Sequence, residues 1–491
     1  MGIIAIDLGT TNIKVAAYSD RLLQVGLESH NVVYERNGDF VEFDAEGYFD
    51  TIVRLVADCR AKAAPALGDG PAQLVLTGQA ESLVVVGRDG KPLRGGISWL
   101  DMRSRKECAE LAERFDADLC YRITGQPEII PTWPLTKILW LRRNEPELFA
   151  DAAKFLLIKD YILYRLTGRF VGEHSVYPFS HYFDVTAKRY WEEPLEYCGV
   201  STDRLPELVP PCSVVGELLP EVLSATGLVA GSVANAGTLD HFAGMIGTGN
   251  VVEGMISESA GTVSSIATFV SKPFASPARI PLYCGPFPDS YIYLPVCESG
   301  GISLEWFRNS FAPDVSFRDI DAACATRQPD SRLLFLPYLT GVNPPEFDPA
   351  ATGVFYGAGV RHDRYDFALA IMYGVACLLR KNIDFFKAAG IRADRILSTG
   401  GGAKSVLWSQ IKADVCGLPV AVPKNQEAPC LGAAVVGAVT AGAFADYSSA
   451  IASAVAVDRV YEPAAHRDAF ENVYRRFCAL YDALSPVFPT V

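Results

Sequence analysis

Hydrophobic residues near the start of the chain fall into two short runs on either side of a polar turn. Residues 3–6 and 13–17 are mostly β-branched or small apolar side chains, a composition that is typical of strands. Between the runs lies the turn sequence "DLGTTN", with Gly9 at its centre. The pattern predicts a β-hairpin with a polar tip, whose returning strand begins around Lys14.

Further along the chain, apolar runs of strand length alternate with segments in which apolar residues recur at helical spacing. Residues 72–93 predict two strands around a polar turn, and residues 101–115 predict a helix. Residues 366–390 predict a long, mostly apolar helix with Gly390 as its C-cap. Residues 431–445 are too few and too rich in small side chains to span a bilayer comfortably, so they predict a buried helix. The alternation indicates an α/β fold.

A second segment repeats the pattern of the N-terminal hairpin. Residues 254–270 show a strand-like run, a turn of small residues that contains Gly-Thr, and another strand-like run. Two matching hairpins suggest a duplicated two-domain protein with a nucleotide clamped between its halves. As sequence identity the repeat is weak, so coincidence is the alternative at this point.

Composition and charge narrow the function classes. The chain has 491 residues, 49% of them hydrophobic and 21% charged, which indicates a globular protein with ample core. The net charge is −13, and no run of Lys or Arg exceeds a pair, so neither nucleic acid nor an anionic membrane is an expected partner. The 12 cysteines are scattered without a C-x-x-C pair, which suggests neither a disulfide framework nor a zinc site. Because Asp7 also interrupts the first apolar run before it could serve as a secretory signal, we expect a cytoplasmic protein.

The tip of the first hairpin has the chemistry of an anion site. Gly9 permits a tight turn, so that backbone N–H groups and the hydroxyls of Thr10 and Thr11 can point at one anion. Asp7 would repel that anion unless a metal ion lay between them. A phosphate with a magnesium ion would reconcile these groups, because Mg²⁺ prefers carboxylate and water oxygens. An ordinary turn with polar residues is the alternative interpretation.

Other phosphate-binding patterns can be compared with this one. The sequence contains no G-x-x-x-x-G-K-[ST] run, and "GTGNVVEG" at residues 247–254 has the wrong spacing for G-x-G-x-x-G. Residues 398–408 are better placed, because three consecutive glycines follow a strand-like run and precede a helix. Backbone without side chains there could lie flat against adenine or ribose. A tight strand-to-helix turn is the alternative.

A series of short motifs follows in a fixed order over essentially the full length of the chain. They are "DLGTTNIK" at 7–14, "GQAES" at 78–82, "ISWLDMRS" at 97–104, "PLTKILWL" at 134–141, "GTLDHFAGMIGTG" at 237–249, "SAGTV" at 259–263, "PYLTG" at 337–341 and "GGGAKS" at 400–405. In this order the chain resembles the FGGY family of carbohydrate kinases, within the actin, hexokinase and Hsp70 superfamily. The resemblance implies two actin-like, ribonuclease H-like α/β domains at residues 1–247 and 248–491, with an ATP- and sugar-binding cleft between them.

The resemblance also implies which residues bind the cofactors, ATP and Mg²⁺. Asp7 would approach the magnesium ion. The residues implied to contact the nucleotide are Gly9, Thr10, Thr11 and Lys14 in a first phosphate loop, Gly261 and Thr262 in a second, and Gly301, Gly401, Gly402 and Ala403 near the adenosine.

Asp240 matches the family's catalytic base. Phosphoryl transfer requires mainly positioning and charge neutralisation, plus one carboxylate that accepts the proton of the attacking hydroxyl. An isolated Asp in a Gly-rich loop would more often be a helix cap, but the surrounding motif favours the catalytic role. The residues implied to hold the sugar, together with Asp240, are Gln79, Glu81, Trp99 and Asp101. Carboxylates accept hydrogen bonds from neighbouring hydroxyls, and an aromatic face covers the C–H side of a sugar.

Several positions depart from the family pattern and leave the substrate open. "GQAES" matches neither the "GQMHG" type of xylulokinases nor the "NQRET" type of glycerol kinases. Val342-Asn343 stands where members often have Glu-Arg, and Tyr373 stands where a Glu is common. Glu81 and Asp101 would repel a substrate carboxylate unless Arg103 intervened. We therefore expect ATP-dependent phosphorylation of a neutral ketose such as xylulose, with a glycerol- or erythritol-type polyol or a gluconate-type sugar acid as alternatives.

Two other function classes share part of this pattern. An actin-like ATPase without a sugar substrate would have both hairpins but would need neither the hydroxyl-binding acids nor a base at Asp240. A catalytically inactive sugar sensor would keep the sugar site and lose a phosphate loop. The combined motifs favour a kinase whose partner is a small sugar or polyol, and a homodimer is compatible with the sequence.

Overall fold

The structure of the chain is a computed structural model that describes residues 1–261, 263–273, 279–297, 299–343, 346, 348–424 and 427–488. The strands, in chain order, are β1 Gly2–Leu8, β2 Asn12–Tyr18, β3 Gln24–Asn31, β4 Glu35–Asn37, β5 Phe40–Phe43, β6 Ala72–Gly78, β7 Leu83–Val86, β8 Gly96–Ile97, β9 Lys154–Leu157, β10 Val171–Glu173, β11 Phe183–Asp184, β12 Arg189–Tyr190, β13 Glu207–Val209, β14 Val214–Glu217, β15 Val233–Leu239, β16 Gly254–Ala260, β17 Ser264–Val270, β18 Leu282–Cys284, β19 Tyr291–Tyr293, β20 Val296–Cys297, β21 Leu334–Leu336, β22 Val354–Tyr356, β23 Ala393–Thr399, β24 Val420–Pro423 and β25 Val457–Tyr461.

Helices fill most of the segments between these strands. They are α1 Ala45–Leu67, α2 Arg105–Arg114, α3 Ala117–Thr124, α4 Pro134–Asn144, α5 Pro146–Asp151, α6 Ile158–Thr167, α7 Glu192–Cys198, α8 Pro220–Thr226, α9 Asp240–Thr248, α10 Ile302–Phe311, α11 Phe317–Ala325, α12 Arg364–Ala388, α13 Val406–Cys416, α14 Ala428–Thr440, α15 Tyr447–Ala454 and α16 Asp468–Leu484. Within the described ranges, every helix is too short or too polar to cross a bilayer.

The chain forms two compact units. Unit 1 comprises Met1–Val251, Pro281–Ile292 and Glu427–Val455, and unit 2 comprises Val252–Ile280, Tyr293–Gln426 and Ala456–Val491. The division predicted from the sequence, at residue 247, is continuous along the chain, whereas unit 1 also takes in two later segments. The longer of these contains α14, and its packing explains the difference.

The main sheet of unit 1 has the strand order β14-β15-β6-β1-β2-β3. Strands β1 and β2 form the hairpin expected from the sequence, with Asp7 opposite Lys14. Strand β6 runs parallel to β1 on one side and to β15 on the other. Because the carboxyl ends of parallel strands meet at the same edge of a sheet, the residues that follow β1, β6 and β15 are neighbours there.

Helix α14 covers one face of this sheet. Its apolar side chains pack with Ile3, Ala5 and Val75, which point to the same face from β1 and β6. The helix also lies against α9 at very close range, since a Cβ added at Gly432 would stand 1.7 Å from the carbonyl oxygen of Ala243. A contiguous domain division places α14 in the second domain, but its buried surface belongs to unit 1.

Unit 2 has a sheet in which β17, β16, β23, β24 and β25 lie side by side. Strands β16 and β17 form the second predicted hairpin, and β16 runs parallel to β23 with Ser259 opposite Thr399. The long helix α12 packs against α13 and is buried over most of its length. It begins two residues before the predicted start, because the side chain of Asp363 caps it by accepting from the N–H groups of Tyr365 and Asp366.

Candidate active site

Acidic side chains of unit 1 gather at the carboxyl edge of its sheet. Asp7 lies near the end of β1, Glu81 follows β6, and Asp240 follows β15 as the first residue of α9. Asp7 is 8% exposed, and its Oδ1 has no hydrogen-bond partner among the described residues. Burial and the negative charge of Asp240 raise the pKa of Asp7 to about 7. Three carboxyl groups therefore gather at this edge, and one oxygen of Asp7 has no protein partner among the described residues.

These carboxylates suit a magnesium ion. No group of three or more His, Cys, Asp or Glu side chains that could hold a metal occurs in the part of the chain that the structure describes. Mg²⁺ is ordinarily held by one or two carboxylates, water and the phosphates of a nucleotide, so a full set of protein ligands is not required. The unpartnered oxygen of Asp7 is the protein ligand that fits this arrangement best.

The turn between β1 and β2 is shaped as a tight loop beside Asp7. A Cβ at Gly9 would lie 2.5 Å from the carbonyl oxygen of Asn12, so a side chain does not fit there. The hydroxyl of Thr10 accepts a hydrogen bond from Nε1 of Trp99 at 2.9 Å, which leaves its own proton available as a donor. Thr11 follows at the exposed tip, and Lys14 makes an ion pair with Glu427 at 2.5 Å.

Glu81 occupies a strained and poorly solvated position. Its φ angle of 71° lies in the left-handed region, which is uncommon for a residue with a side chain. Burial raises its pKa, Asp240 raises it further, and Lys137 together with a hydrogen bond from Trp133 opposes the rise. The structure thus brings Glu81 together with Asp240, as the sequence predicted, and adds two residues that the sequence did not.

Lys137 is the buried cation of this region. Its Nζ donates to the carbonyl oxygens of Ser98 at 2.8 Å and Thr132 at 2.6 Å. These are the residues that precede Trp99 and Trp133, so one ammonium group ties both aromatic residues to the same point. Burial lowers the pKa of Lys137. Its position on α4 resembles that of an ordinary helix lysine, so the sequence predicted no role for it.

Gln79 and Asp101, both predicted to hold the sugar, have internal partners. The side-chain oxygen of Gln79 accepts from Ser82 at 2.7 Å. Asp101 is fully buried, and its Oδ2 accepts from the N–H of Val41 at 2.6 Å and from Nη2 of Arg103 at 2.7 Å. Its Oδ1 accepts from the backbone N–H and Nε of Arg103. A sugar hydroxyl would have to compete with these donors, so the contact predicted for Asp101 stays a prediction.

Asp240 is more exposed than Asp7. It is half-buried, and its Oδ1 accepts from the N–H of the adjacent, exposed His241 at 2.6 Å. The first turn of α9 places the carboxylate next to unsatisfied helix N–H groups, which favour negative charge. The negative charge of Asp240 contributes to the raised pKa of both Asp7 and Glu81.

Unit 2 contains a cavity of about 560 Å³ that is lined by predicted adenosine-binding residues. Gly301, Gly401 and Gly402 all face it, together with Gly261 of the predicted second phosphate loop and with Phe317 and Trp408. Ala403 is buried in the same turn and lines an adjoining cavity of about 790 Å³. Thr262, predicted in the second phosphate loop, lies outside the described residues.

The glycines of this cavity are required by close backbone approaches. The N–H of Gly301 donates to the carbonyl oxygen of Gly261 at 2.7 Å, and a Cβ at Gly301 would lie 2.6 Å from that oxygen. The cavity is largely apolar, which suits a flat aromatic base.

The sequence did not predict two polar features around this cavity. Asp321, on α11, lines it and accepts from the hydroxyl of Ser405 at 2.6 Å, and burial raises its pKa. Beneath the glycines, Lys412 and Glu258 form a fully buried ion pair at 2.6 Å. Apart from Ser405, which ends the motif at residues 400–405, these residues lie outside the motifs, and each feature depends on residues far apart in the chain.

Comparison with known proteins agrees with this geometry. The FGGY family of carbohydrate kinases matches through its N-terminal domain at residues 2–247 and its C-terminal domain at residues 257–441. Xylulose kinase from Bacillus subtilis (strain 168) is 29% identical over 98% of this chain and 98% of its own. The ligand-bound xylulose kinase from Lactobacillus acidophilus has a TM-score of 0.91 at 26% identity, covering 100% of this chain and 99% of that one. Gluconate kinase from the same organism has a TM-score of 0.90 at 26% identity, with the same coverage.

These similarities extend over nearly the full length of the chain, so they include the segments that form both hairpins. The α/β fold with two actin-like domains that the motifs implied is therefore confirmed. The chain belongs to the FGGY family of carbohydrate kinases, and it is an ATP-dependent kinase that phosphorylates a small-molecule sugar.

Proposed function

We propose that this kinase phosphorylates a neutral ketose such as xylulose, with Asp240 as the general base and Asp7 as a ligand of Mg²⁺. The observation that carries the proposal is the meeting of Asp7, Glu81 and Asp240 at the carboxyl edge of one sheet. Asp7 is buried, Glu81 is poorly solvated and Asp240 is half-buried. Carboxyl groups in different environments can take different roles in one reaction.

The proton transfer is assigned to Asp240 because its side chain is only half-buried and because it matches the family's catalytic base. The oxygen of a sugar hydroxyl attacks the γ-phosphorus of ATP, its proton passes to a carboxylate oxygen of Asp240, and the bond from the γ-phosphorus to the bridging oxygen of ADP breaks. The N–H groups and hydroxyls of the Gly9–Thr10 turn orient the phosphates. Mg²⁺ neutralises phosphate charge when it is bound. Asp7 would hold it through the oxygen that lacks a protein partner.

The charges near Glu81 support a neutral substrate. A substrate carboxylate would need a cation to offset Asp240, and Glu81, whose pKa burial raises to about 8, adds to the repulsion only when it is ionised. Lys137 already donates to two carbonyl oxygens, and Arg103 is bound to Asp101 and to Glu42. Both side chains are therefore bound by protein groups, although Nη1 of Arg103 is buried without a hydrogen-bond partner among the described residues. The similar xylulose kinase from Bacillus subtilis acts on a neutral ketose by its name, which points the same way.

A gluconate-type sugar acid is the second candidate, because gluconate kinase from Lactobacillus acidophilus matches the fold as well as the xylulose kinase does. A glycerol- or erythritol-type polyol is the third. Coupled measurement of ADP release with a panel of ketoses, polyols and aldonates separates these candidates. We expect the highest kcat/KM for a neutral ketose, and a higher value for an aldonate would overturn the substrate assignment.

The same assay tests the base and the metal. Asp240→Asn should leave folding and nucleotide binding almost unchanged and lower kcat by about 10²- to 10⁴-fold. Excess chelator should abolish turnover by the wild type. If Asp240→Asn turns over within about threefold of the wild type, the base is wrong.

A further inference from the structure

A fully buried polar cluster lies behind the end of β15 in unit 1. Lys159, Glu173 and Ser175 are each 0% exposed. Nζ of Lys159 donates to Oε1 of Glu173 at 2.5 Å. Ser175 donates its backbone N–H to Oε2 of Glu173 at 2.6 Å and its hydroxyl to Oε1 at 2.8 Å. We call these three residues the buried relay.

The hydroxyl of Ser175 connects the relay to the residue before Asp240. Its oxygen accepts a hydrogen bond from the N–H of Leu239 at 3.0 Å and lies 2.9 Å from the hydroxyl oxygen of Thr238. Because a carboxylate only accepts, the proton of Ser175 is directed at Glu173 and its lone pairs are directed at the end of β15. The hydrogen bonds therefore run in one direction, from Leu239 through Ser175 to Glu173.

The direction of the chain at the end of β15 depends on the hydrogen bonds that hold Thr238 and Leu239. The register of β15 against β6 shifts between Asn235 and Thr238, so the strand bulges before it reaches Asp240. Gly237, within the bulge, has a φ angle of 55°, and a Cβ there would lie 1.7 Å from the carbonyl oxygen of Leu76. A bulge changes the direction of a strand. The position of Asp240 is thus set partly by what holds Thr238 and Leu239.

We propose that Lys159, Glu173 and Ser175 are positioning residues for the kinase reaction, because they fix the strand end from which Asp240 reaches the sugar hydroxyl. The inference rests on the proposed role of Asp240. The three residues are buried behind Leu239 and contact neither substrate. Their loss should therefore slow proton transfer and leave the binding of sugar and ATP nearly unchanged.

Ser175→Ala tests the inference through the separation of kcat from KM. A displacement of about 1 Å at a catalytic group can cost on the order of 10²-fold in rate, so we expect kcat to fall about 10- to 100-fold. KM for sugar and for ATP should stay within about threefold of the wild type.

Ser232→Ala is the matched control. Ser232 is also 0% exposed, and its hydroxyl accepts from the N–H of Ala72 at 3.0 Å, at the opposite edge of the same sheet. Its loss should lower the melting temperature about as much as Ser175→Ala does, with kcat unchanged. Equal loss of kcat in both variants would show a general loss of structure and would overturn the inference.

A double-mutant cycle with Asp240→Asn separates this inference from the proposed function. If Ser175 acts through Asp240, Ser175→Ala should have no further effect on the residual turnover of Asp240→Asn. A further drop by the full factor would overturn the inference alone. Normal turnover by Asp240→Asn would overturn the proposed base instead. Should Ser175→Ala fail to fold, Ser175→Cys enters the same cycle, because its thiol is a weaker hydrogen-bond partner of similar size.

Discussion

The environment of Glu81 leads to a prediction about sugar binding. Glu81→Ala removes an acceptor from a poorly solvated site, so the sugar hydroxyl opposite would lose its partner. A buried polar group that is left without its partner costs about 1 to 3 kcal/mol, which corresponds to a rise in the sugar KM of about 5- to 150-fold. The KM for ATP should hardly change. Steady-state kinetics measures both constants.

Glu110→Ala provides the control for this change. Glu110 is an acid of the same unit that pairs with Arg143 at 2.6 Å on the surface. We expect both KM values of that variant to equal those of the wild type. An unchanged sugar KM in Glu81→Ala would contradict the contact between Glu81 and the sugar.

His181 leads to a prediction about pH. It is fully buried against Trp133, neither ring nitrogen has a hydrogen-bond partner among the described residues, and burial lowers its pKa to about 3. The unfolded chain takes up a proton near pH 6.5, but the folded chain does not, so stability falls as the pH drops below that value. From pH 7 to pH 5 this single group should lower the free energy of unfolding by about 2 kcal/mol.

Denaturant unfolding of His181→Phe at both pH values measures this contribution. Phenylalanine keeps a ring against Trp133 and has no titratable nitrogen. The variant should therefore lose about 2 kcal/mol less than the wild type between pH 7 and pH 5, whatever its stability at pH 7. Equal losses in the two proteins would show that His181 is not the source of the acid sensitivity.

Chemistry that belongs to a short motif can be predicted from the sequence at this scale, whereas chemistry that depends on burial cannot. An acid, a glycine and a hydroxyl within one turn suggest a phosphate and a metal, so roles could be predicted for Asp7, Gly9 and Thr10. No role could be predicted for Lys137, because nothing in its neighbours shows that its ammonium is enclosed. The sugar contact of Asp101 was predicted from a motif that does not indicate that Arg103 binds both of its oxygens.

At the scale of helices and strands, hydrophobic periodicity predicted the elements, and capping determined where they end. The segment predicted to form a buried helix at residues 431–445 is α14 at Ala428–Thr440. The pattern showed that the helix is buried but not which surface buries it. That information lies in small residues on two distant helices. Gly247 of α9 and Gly432 of α14 would each place a Cβ within 2 Å of the other helix's backbone.

Gly432→Ala should therefore disturb the active site from a distance. Its Cβ would lie 1.7 Å from the carbonyl oxygen of Ala243, so α9 and α14 must separate. Forcing an extra methyl group into such a contact typically costs about 1 to 3 kcal/mol, and the loss should appear as a lower melting temperature. Because α9 begins at Asp240, kcat should fall as well.

Gly244→Ala is the matched control for the helix contact. Gly244 is also a glycine of α9, but a Cβ there would meet only the side chain of Pro429, at 3.9 Å. Alanine in a helix is favoured over glycine by about 1 kcal/mol, so this variant should be as stable as the wild type or slightly more so. If Gly432→Ala behaves like Gly244→Ala, the two helices are not as tightly apposed as the structure has them.

At the scale of the whole molecule, the order of motifs along the chain predicted two domains but not their composition. The sequence placed a single boundary at residue 247, whereas unit 1 is built from three separate segments. The sequence does not show which unit contains α14, because its residues are apolar whichever surface the helix packs against. The decisive information is the sheet face formed by Ile3, Ala5 and Val75, which is complete only when α14 covers it.

This composition predicts how fragments of the chain behave. A fragment of residues 1–251 lacks α14 and leaves the apolar face of β1 and β6 open to water. Exposure of apolar surface costs about 25 cal/mol per Å². Exposing the whole face that α14 covers should therefore lower the stability of the fragment strongly. We expect the fragment to bind a hydrophobic dye and to melt without a cooperative transition. Addition of residues 427–455 through a flexible linker should restore a cooperative melt, because it returns α14 to the sheet.

The control is the same fragment with a linker followed by residues 468–484, the amphipathic helix α16 of unit 2. If the fragment 1–251 melts cooperatively by itself, or if α16 rescues it as well as α14 does, the apolar face of the sheet does not depend on α14.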